Sequence, residues 1–385
     1  MSPLANSILT EDDLFRTEPF YPLRAFVCSQ CFLVQLEEYE SPASIFSDYS
    51  YFSSYSTTWL DHAARFAEHA VERFDLGRES LVVEVASNDG YLLQYFMQRG
   101  IPVLGIEPAI NVAQAALDKG VPTEVRFFGR ELAAELAAER SADLIVANNV
   151  LAHVPDLDDF VDGISMVLSP QGAASLEFPH LLRLIEEEQF DTIYHEHFSY
   201  FSLLSVERVF AGRGLLVTDV EEIPTHGGSL RVHVAHGGVA SPAVEQLKFR
   251  EQEAGLADLA TYELFGERVR QAKRDILSFF IDAKDKGQNI VGYGAPAKGN
   301  TLLNYTGIGR DFIDYTVDLN PHKQGCFLPG THIPILAPDV LARTHPDLVF
   351  VLPWNLRDEI IEQMRHVLEW GGKFVARAPQ LRVYA

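Results

Sequence analysis

A chain of 385 residues is too long for one ordinary core and suits two or three domains. With 47% hydrophobic and 22% charged residues the composition is globular, no apolar run reaches a membrane span, and three cysteines exclude a disulfide framework, pointing to the reducing cytoplasm. A formal net charge of −23 argues against a nucleic-acid partner but leaves room for a nucleotide-linked small molecule or a cationic one, which needs only local contacts.

Residues 1–75 begin irregularly, with a CxxC (Cys28, Cys31), the apolar stretch FLVQL and the segment DYSYFSSYSTTW. From Trp59 apolar residues recur every three or four positions, which predicts a helix. From Leu81 strands and helices alternate. LVVEVASNDG is a buried strand entering a Gly turn, and YLLQYFMQRG is the helix after it. PVLGIEP is a strand ending in an acid, and NVAQAALDKG is a helix stopped by Gly120. ADLIVANNVL and LDDFVDGISMVL add a strand and a helix. The alternation predicts a parallel sheet with helices on both faces. Residues 241–286 read as a helical connector, after which NIVGYGAPAKGNTLLNY restarts the strand–Gly loop–helix pattern. IDYTVDLN and DLVFVLPW supply further strands, and RDEIIEQMRHVLEWGG a helix. The expected fold is α/β: a small irregular N-terminal domain (1–75), a Rossmann-like domain (76–240), the connector (241–286) and a second Rossmann-like domain (287–385).

The first strand ends in E-x-A-x-N-D-G, formed by Glu84, Ala86, Asn88, Asp89 and Gly90. A small residue and a glycine let the backbone approach a ligand, while Asn88 and Asp89 offer polar contacts. Glu107, followed by Pro108, ends the next strand, where a carboxylate can accept from a ribose diol. The pattern is not G-x-G-x-x-G, which turns the reading from NAD toward S-adenosylmethionine. The third strand ends NNVLAHVPD and brings Asn148, Asn149 and His153 to the strand ends where ligands of doubly wound sheets lie.

DTIYHEHFSYFS gathers Tyr194, His195, Glu196, His197 and Tyr200. Methylating a carbon beside a ketone requires a base and groups that stabilise the enolate oxygen. A histidine suits the first task and a tyrosine or second histidine the other, with Glu196 placed to orient a histidine. An extended backbone would put 194, 196 and 200 on one face and 195 and 197 on the opposite one; a loop lifts that rule, so spacing does not choose between the histidines. The H-x-H pair has no third metal ligand at matching spacing. In PTHGGSLRVHV, residues His226, Gly227, Gly228, Ser229 and Arg231 fit either a loop closing over a sugar or phosphate or a hairpin turn with a surface arginine. The GAPAKG loop, with Lys298, can cradle a phosphate through backbone N–H groups and one cation, or serve packing alone.

PLANSIL, C-x-x-C-x-L-V-Q-L, SSYS-x-x-W-L-D-H-A, EVASNDGYLL, GIEP, NNVLAHVPD, FDTIYHEHFSYFSL, PTHGGSLRV and GYGAPAKGNTLLNY follow one another nearly end to end. In this the chain resembles the sugar C-methyltransferase family acting on dTDP-linked 4-keto-deoxysugars. The resemblance implies a zinc-binding N-terminal domain, a methyltransferase domain using S-adenosylmethionine and a C-terminal Rossmann-like domain. It also implies proton removal at C3, beside the C4 ketone, and methyl transfer to the enolate. Carried onto this sequence, His197 is the base, Tyr194, Glu196 and His153 surround the reacting carbons, and Tyr51 comes from the N-terminal domain. His195, His226, Gly228, Ser229, Arg231 and Lys298 are the candidates for holding the sugar nucleotide. The family has two CxxC pairs; here Cys28 and Cys31 form one, and two thiolates do not complete a tetrahedral zinc site. The expected enzyme has no nucleic-acid or membrane partner and is a monomer or homodimer. O- or N-methylation, a non-catalytic nucleotide-sugar binder and an NAD-dependent sugar enzyme are the competing readings.

Overall fold

Short, largely apolar runs form the strands of three sheets among the described residues, of seven, six and three strands. The computed structural model describes residues 1–46, 52–55, 57–377 and 379–385, apart from the side chains of Phe46, Tyr55, Thr57, Thr58 and His226. Two compact units share the chain: a first unit of Val27–Leu181 and His197–Ala257, and a second of Met1–Phe26, Leu182–Glu196 and Asp258–Ala385. The units are therefore interleaved along the sequence rather than consecutive, and residues 182–196 belong with the second.

The first unit has strands β1 (Val82–Val85), β2 (Val103–Ile106), β3 (Thr123–Glu124), β4 (Ala142–Asn148), β5 (Leu168–Pro179), β6 (Leu216–Ile223) and β7 (Ser229–Ala235). Their order is β3-β2-β1-β4-β5-β7-β6. β1 to β5 pair in parallel, and β7 runs antiparallel to both its neighbours. Strand order reverses between β1 and β4, so the crevice at their carboxyl ends is the natural ligand position. All four residues of β1 are buried, as for a strand covered on both faces, and one of them is the carboxyl residue Glu84.

Helix α1 (Thr57–Arg73) follows the predicted periodicity and lays Ala63, Phe66, Ala67 and Ala70 against Leu92, Leu93 and Phe96. The helix predicted from YLLQYFMQRG is only α2 (Leu93–Met97), because Tyr91 and Leu92 remain in the turn leaving Gly90. α3 (Ile110–Asp118) and α4 (Arg130–Glu139) follow β2 and β3. α5 (Leu157–Val167) starts at an Asp156 cap whose side chain accepts from the Asp159 N–H, and it buries Phe160, Val161, Ile164 and Val167. PTHGGSLRVHV forms the β6–β7 hairpin, turning through Thr225–Gly227. Gly228 there holds φ 112°, open only to glycine without strain. The hairpin arginine is not on the surface: Arg231 is 5% exposed. Near the start of the unit, strand Val34–Leu36 pairs antiparallel with Ser199–Tyr200, and the CxxC turn leads into it through Cys28 N–H donating to the Leu33 carbonyl.

The second unit repeats the architecture with β8 (Ile290–Tyr293), β9 (Thr316–Val317), β10 (Ile335–Leu336), β11 (Leu348–Val351), β12 (Lys373–Arg377) and β13 (Leu381–Tyr384). Their order is β10-β9-β8-β11-β12-β13, parallel except for β13. The predicted helical connector is two helices, Pro242–Glu253 in the first unit and Leu259–Asp285 in the second. The longer one buries Ala272, Ile276, Phe280 and Ala283 against Ile290, Leu302, Leu303 and Phe350. Helix Ala297–Thr306 packs directly on the sheet, since a Cβ at Gly299 would lie 2.8 Å from Leu352 Cβ. Among the described residues no helix is long and apolar enough to cross a membrane.

Candidate active site

The turn after β1 is built for close approach. Ala86, Asn88 and Gly90 all take positive φ, at 53°, 49° and 74°. The Glu107 carboxylate holds the turn from the neighbouring strand: Oε2 accepts from the Asn88 N–H at 2.9 Å and Oε1 from the Ala109 N–H at 2.9 Å, bracketing Pro108. Burial raises the Glu107 carboxyl, and these two N–H donors oppose the rise. Glu84 is also buried within β1; desolvation pushes its carboxyl well up, against a hydrogen bond from Tyr91. Asp89 Oδ1, Glu84 Oε2 and Asn148 Oδ1 are buried with no partner among the described residues. Unspent acceptors at the ends of β1 and β4 suit a ligand carrying N–H and O–H donors and a positive charge, and thus fit S-adenosylmethionine.

Asn88 and Asp89 also hold protein backbone. Asn88 Oδ1 accepts from the Ser53 N–H at 2.9 Å, and Asp89 Oδ2 from the Ser54 N–H at 3.4 Å. At the end of β4, Asn149 takes φ 56° and donates its N–H to the Glu177 carbonyl. One residue group that the sequence reading missed lies beside it. The fully buried Glu177 accepts from Arg231 Nη2 at 3.0 Å and Thr225 Oγ1 at 2.9 Å, and lies 3.1 Å from His62 Nε2. Arg231 donates its other Nη to Glu221 at 3.0 Å and lies over the Phe66 ring. Burial pushes the Glu177 carboxyl up, but His62, Arg231 and Thr225 outweigh it and hold it below the usual range. An acid in the otherwise uncharged run AASLEFP was the available signal.

His153, in the turn Leu151–His153 after β4, meets His197 edge to face with ring centroids 4.7 Å apart. The His197 ring in turn lies 6.0 Å from that of Tyr200. The Ala152 carbonyl fixes this approach by accepting from the Phe198 N–H at 2.7 Å. The unit boundary falls between Glu196 and His197. On its other side, His195 Nε2 donates to the Pro22 carbonyl at 3.1 Å and its ring faces Tyr21. Burial lowers the His195 pKa, partly offset by that carbonyl. Glu196 accepts from the Asn6 N–H at 3.2 Å, and burial raises its carboxyl to about 7. Tyr194 is half-buried in the same segment.

Within the hairpin turn the Gly228 carbonyl accepts from the His180 N–H at 3.1 Å, and Ser229 Oγ donates to the Thr225 carbonyl at 3.1 Å. Tyr51 and the His226 side chain lie outside the described residues. In the second unit, Lys298 Nζ donates to Asn355 Oδ1 at 2.9 Å above the Trp354 ring, and burial lowers it to about 8 against the pull of Asp191.

Comparison with known proteins adds the family. A C-methyltransferase, NovU of Streptomyces niveus, is 37% identical over 389 residues, covering 99% of this chain and 92% of its own. The chain belongs to this C-methyltransferase family. Three family descriptions match along the C-methyltransferase: "Putative zinc binding domain" at residues 1–46, "Methyltransferase domain" at 59–220 and "C-methyltransferase C-terminal domain" at 224–379. Among solved structures, magnesium protoporphyrin IX methyltransferase from Synechocystis PCC 6803 is 13% identical at a TM-score of 0.38, covering 46% of this chain and 83% of its own. A Clostridium acetobutylicum S-adenosylmethionine-dependent methyltransferase is 12% identical at a TM-score of 0.37, covering 46% and 92%. The C-methyltransferase uses S-adenosylmethionine, and the buried acceptors of Glu84, Asp89 and Asn148 fit it. Zinc fits less well: Cys28 and Cys31 are two ligands of the four required, and no group of three or more His, Cys, Asp or Glu among the described residues is arranged to hold a metal.

Proposed function

We propose that the enzyme methylates C3 of a nucleotide-linked 4-keto-deoxysugar, most simply a dTDP sugar, in the cytoplasmic assembly of a branched deoxysugar. The observation that carries this is the pairing of His153 with His197 next to Tyr200, at the end of a strand adjoining the donor turn. Methylation at oxygen or nitrogen also uses a base but forms no enolate, so it gives no role to further groups that stabilise an enolate oxygen beside that base.

S-adenosylmethionine supplies an electrophilic methyl group on a sulfonium centre. Glu84, Ala86, Asn88, Asp89, Gly90, Glu107, Pro108, Asn148 and Asn149 form its surroundings in this reading. His197 takes the C3 proton, and the electrons of the C–H bond move into the enolate. His153 holds the His197 ring by its edge contact. Tyr194 and Glu196 surround the reacting carbons, and Glu196, held to about 7, can exchange a proton near neutral pH. Tyr51 completes the set. His195, His226, Gly228, Ser229 and Lys298 position the sugar nucleotide, Lys298 by its charge near the diphosphate. Arg231, with both Nη atoms engaged by carboxylates, serves by holding Glu177 and Glu221 in place.

The test is exchange of the sugar C3 proton with deuterated solvent, followed by NMR of the product. Wild type should exchange the proton and place a methyl singlet on a quaternary carbon, and His197→Ala should do neither. Exchange that persists in His197→Ala removes His197 as the base; a methyl on oxygen or nitrogen removes carbon methylation itself.

A further inference from the structure

Helix Pro242–Glu253 buries Val244, Leu247 and Glu251, a spacing of three and four that marks one inward face. The last inward position holds an acid, and Glu251 is 0% exposed. A carboxylate is tolerated there only where donors surround it. Oε1 accepts from the Leu203 N–H at 2.7 Å and from His180 Nε2 at 2.8 Å, and Oε2 accepts from the Leu204 N–H at 2.9 Å. Leu203 and Leu204 open helix Leu203–Ala211, where the first N–H groups have no helical partner. The Ser202 N–H donates to Ser205 Oγ at 3.0 Å and the Ser205 N–H to Ser202 Oγ at 3.1 Å, so Glu251 supplies the two acceptors that this reciprocal cap leaves over.

The chain just before this helix start carries the candidate base. After His197, the Phe198 N–H donates to the Ala152 carbonyl at 2.7 Å, and the Phe198 carbonyl accepts from the Leu36 N–H at 2.9 Å. Tyr200 pairs with Val34, and the Phe201 carbonyl accepts from the Leu181 N–H at 2.9 Å. His180 follows directly on β5 and forms a parallel bridge with Phe201. Glu251 therefore holds both sides of that bridge: the His180 ring on one, and the backbone that continues from Phe201 on the other. All these residues belong to the first unit.

We propose that Glu251 is a positioning residue for methyl transfer. By gathering Leu203, Leu204 and His180 on one buried carboxylate, it fixes the His197–Tyr200 segment at the end of β5 and with it the His197 ring against His153. The proposal rests on His197 as the base. Glu251→Gln keeps the volume but turns an NH2 group toward a donor, so one hold is lost while the Ala152 and Val34 contacts stay. Misplacing a reacting group by about 1 Å can cost on the order of 100-fold in rate. The donor turn is held by Glu107 instead, so donor affinity is expected to persist.

The experiment compares the full chain, labelled with 15N-histidine, as wild type and Glu251→Gln. The His197 imidazole signal, assigned by its loss in His197→Asn, is read with S-adenosylhomocysteine bound. Calorimetry with S-adenosylhomocysteine counts the working sites, and turnover per counted site is measured on a dTDP-linked 4-keto-6-deoxyhexose. Glu251→Gln should move the His197 signal and lower turnover per site about ten- to 100-fold, with S-adenosylhomocysteine affinity within about two-fold of wild type. A purely structural Glu251 would reduce the number of sites alone; a wild-type His197 signal or wild-type turnover per site overturns the proposal. His180→Ala and His180→Gln read the same hold with Glu251 intact, so a Glu251→Gln chain that fails to fold still leaves a decision. Alanine should show the loss in part, and glutamine, which returns a donor to Oε1, should regain it; no loss in alanine overturns the proposal as well. A wild type that turns over no such sugar sinks the assigned reaction, while the His197 signal still decides whether Glu251 positions that ring.

Discussion

His153 and His197 meet ring edge to ring face, 4.7 Å between centroids and 67° between planes. One comes from the turn after β4 and the other from the start of the first unit's second stretch, so the contact joins the sheet to His197 within a single unit. His195, two positions earlier, is committed to Tyr21 and the Pro22 carbonyl. The two histidines that spacing left equivalent therefore have different surroundings.

That separation predicts an asymmetric result. His197→Asn should lower turnover by roughly 10²- to 10⁴-fold, the usual worth of a general base, with S-adenosylhomocysteine affinity unchanged. His195→Asn should lower stability, because it disturbs a donor to a buried carbonyl, and raise the KM for the sugar nucleotide that His195 is proposed to position, while kcat stays within about three-fold of wild type. Equal losses in both variants would remove the distinction; initial rates and calorimetry on the pair suffice.

Glu107 gives a second test. Both its oxygens are engaged by backbone N–H groups, so its first task is to shape the turn and the chain after β2. Glu107→Gln replaces one acceptor with an NH2 group facing an N–H, leaving a buried donor unmet. Hydrogen bonds to a charged acceptor are worth about 1.5–3 kcal/mol, so donor affinity should fall about ten-fold or more. Titration with S-adenosylhomocysteine would read this, and a fall of less than two-fold would contradict it.

Glu196 predicts a pH dependence of stability. Burial raises its carboxyl from 4.5 to about 7 in the folded chain, so folding favours the protonated form. The contribution is complete below the unfolded value of 4.5 and is lost as pH rises through about 7. Glu196→Gln has no proton to lose there. It should match wild type near pH 4.5 and gain on it by about 3 kcal/mol by pH 8 in denaturant titrations. Parallel curves across that range would mean that Glu196 titrates as an ordinary exposed carboxylate.

Most helices and strands from Leu81 to Val167 were legible because each is a continuous apolar run or a three-to-four periodic one, whereas the two-residue β3 (Thr123–Glu124) and the polar-faced α4 (Arg130–Glu139) were not read from the sequence. The Gly90 turn was legible because few residues tolerate positive φ. The β5–β7–β6 edge was not: its pairing depends on residues distant in sequence, such as Glu177 opposite Arg231. Nor was the interleaving of residues 182–196 with the second unit, since local periodicity carries no information about which sheet a segment joins. Polar residues at strand ends marked the turn after β1, but not the hydrogen bonds that each makes there. Asn88 and Asp89 spend side-chain oxygens on Ser53 and Ser54, and Arg231 spends its charge on Glu177.

That last pairing yields a double-mutant cycle. Glu177 is fully buried and Arg231 5% exposed, so deleting one partner strands the other's charge in a poorly solvated site. Arg231→Met alone should destabilise the first unit by about 3–5 kcal/mol, and Glu177→Gln alone by a comparable amount because Arg231 and His62 lose their acceptor. The double variant Glu177→Gln with Arg231→Met removes both charges and keeps shape, so its cost should fall well below the sum of the singles. Glu221 still pairs with His233 at 3.0 Å in that background, which limits the damage on the hairpin side. Urea titrations of the four proteins give the coupling directly. Strict additivity would show that the buried pair has no mutual dependence.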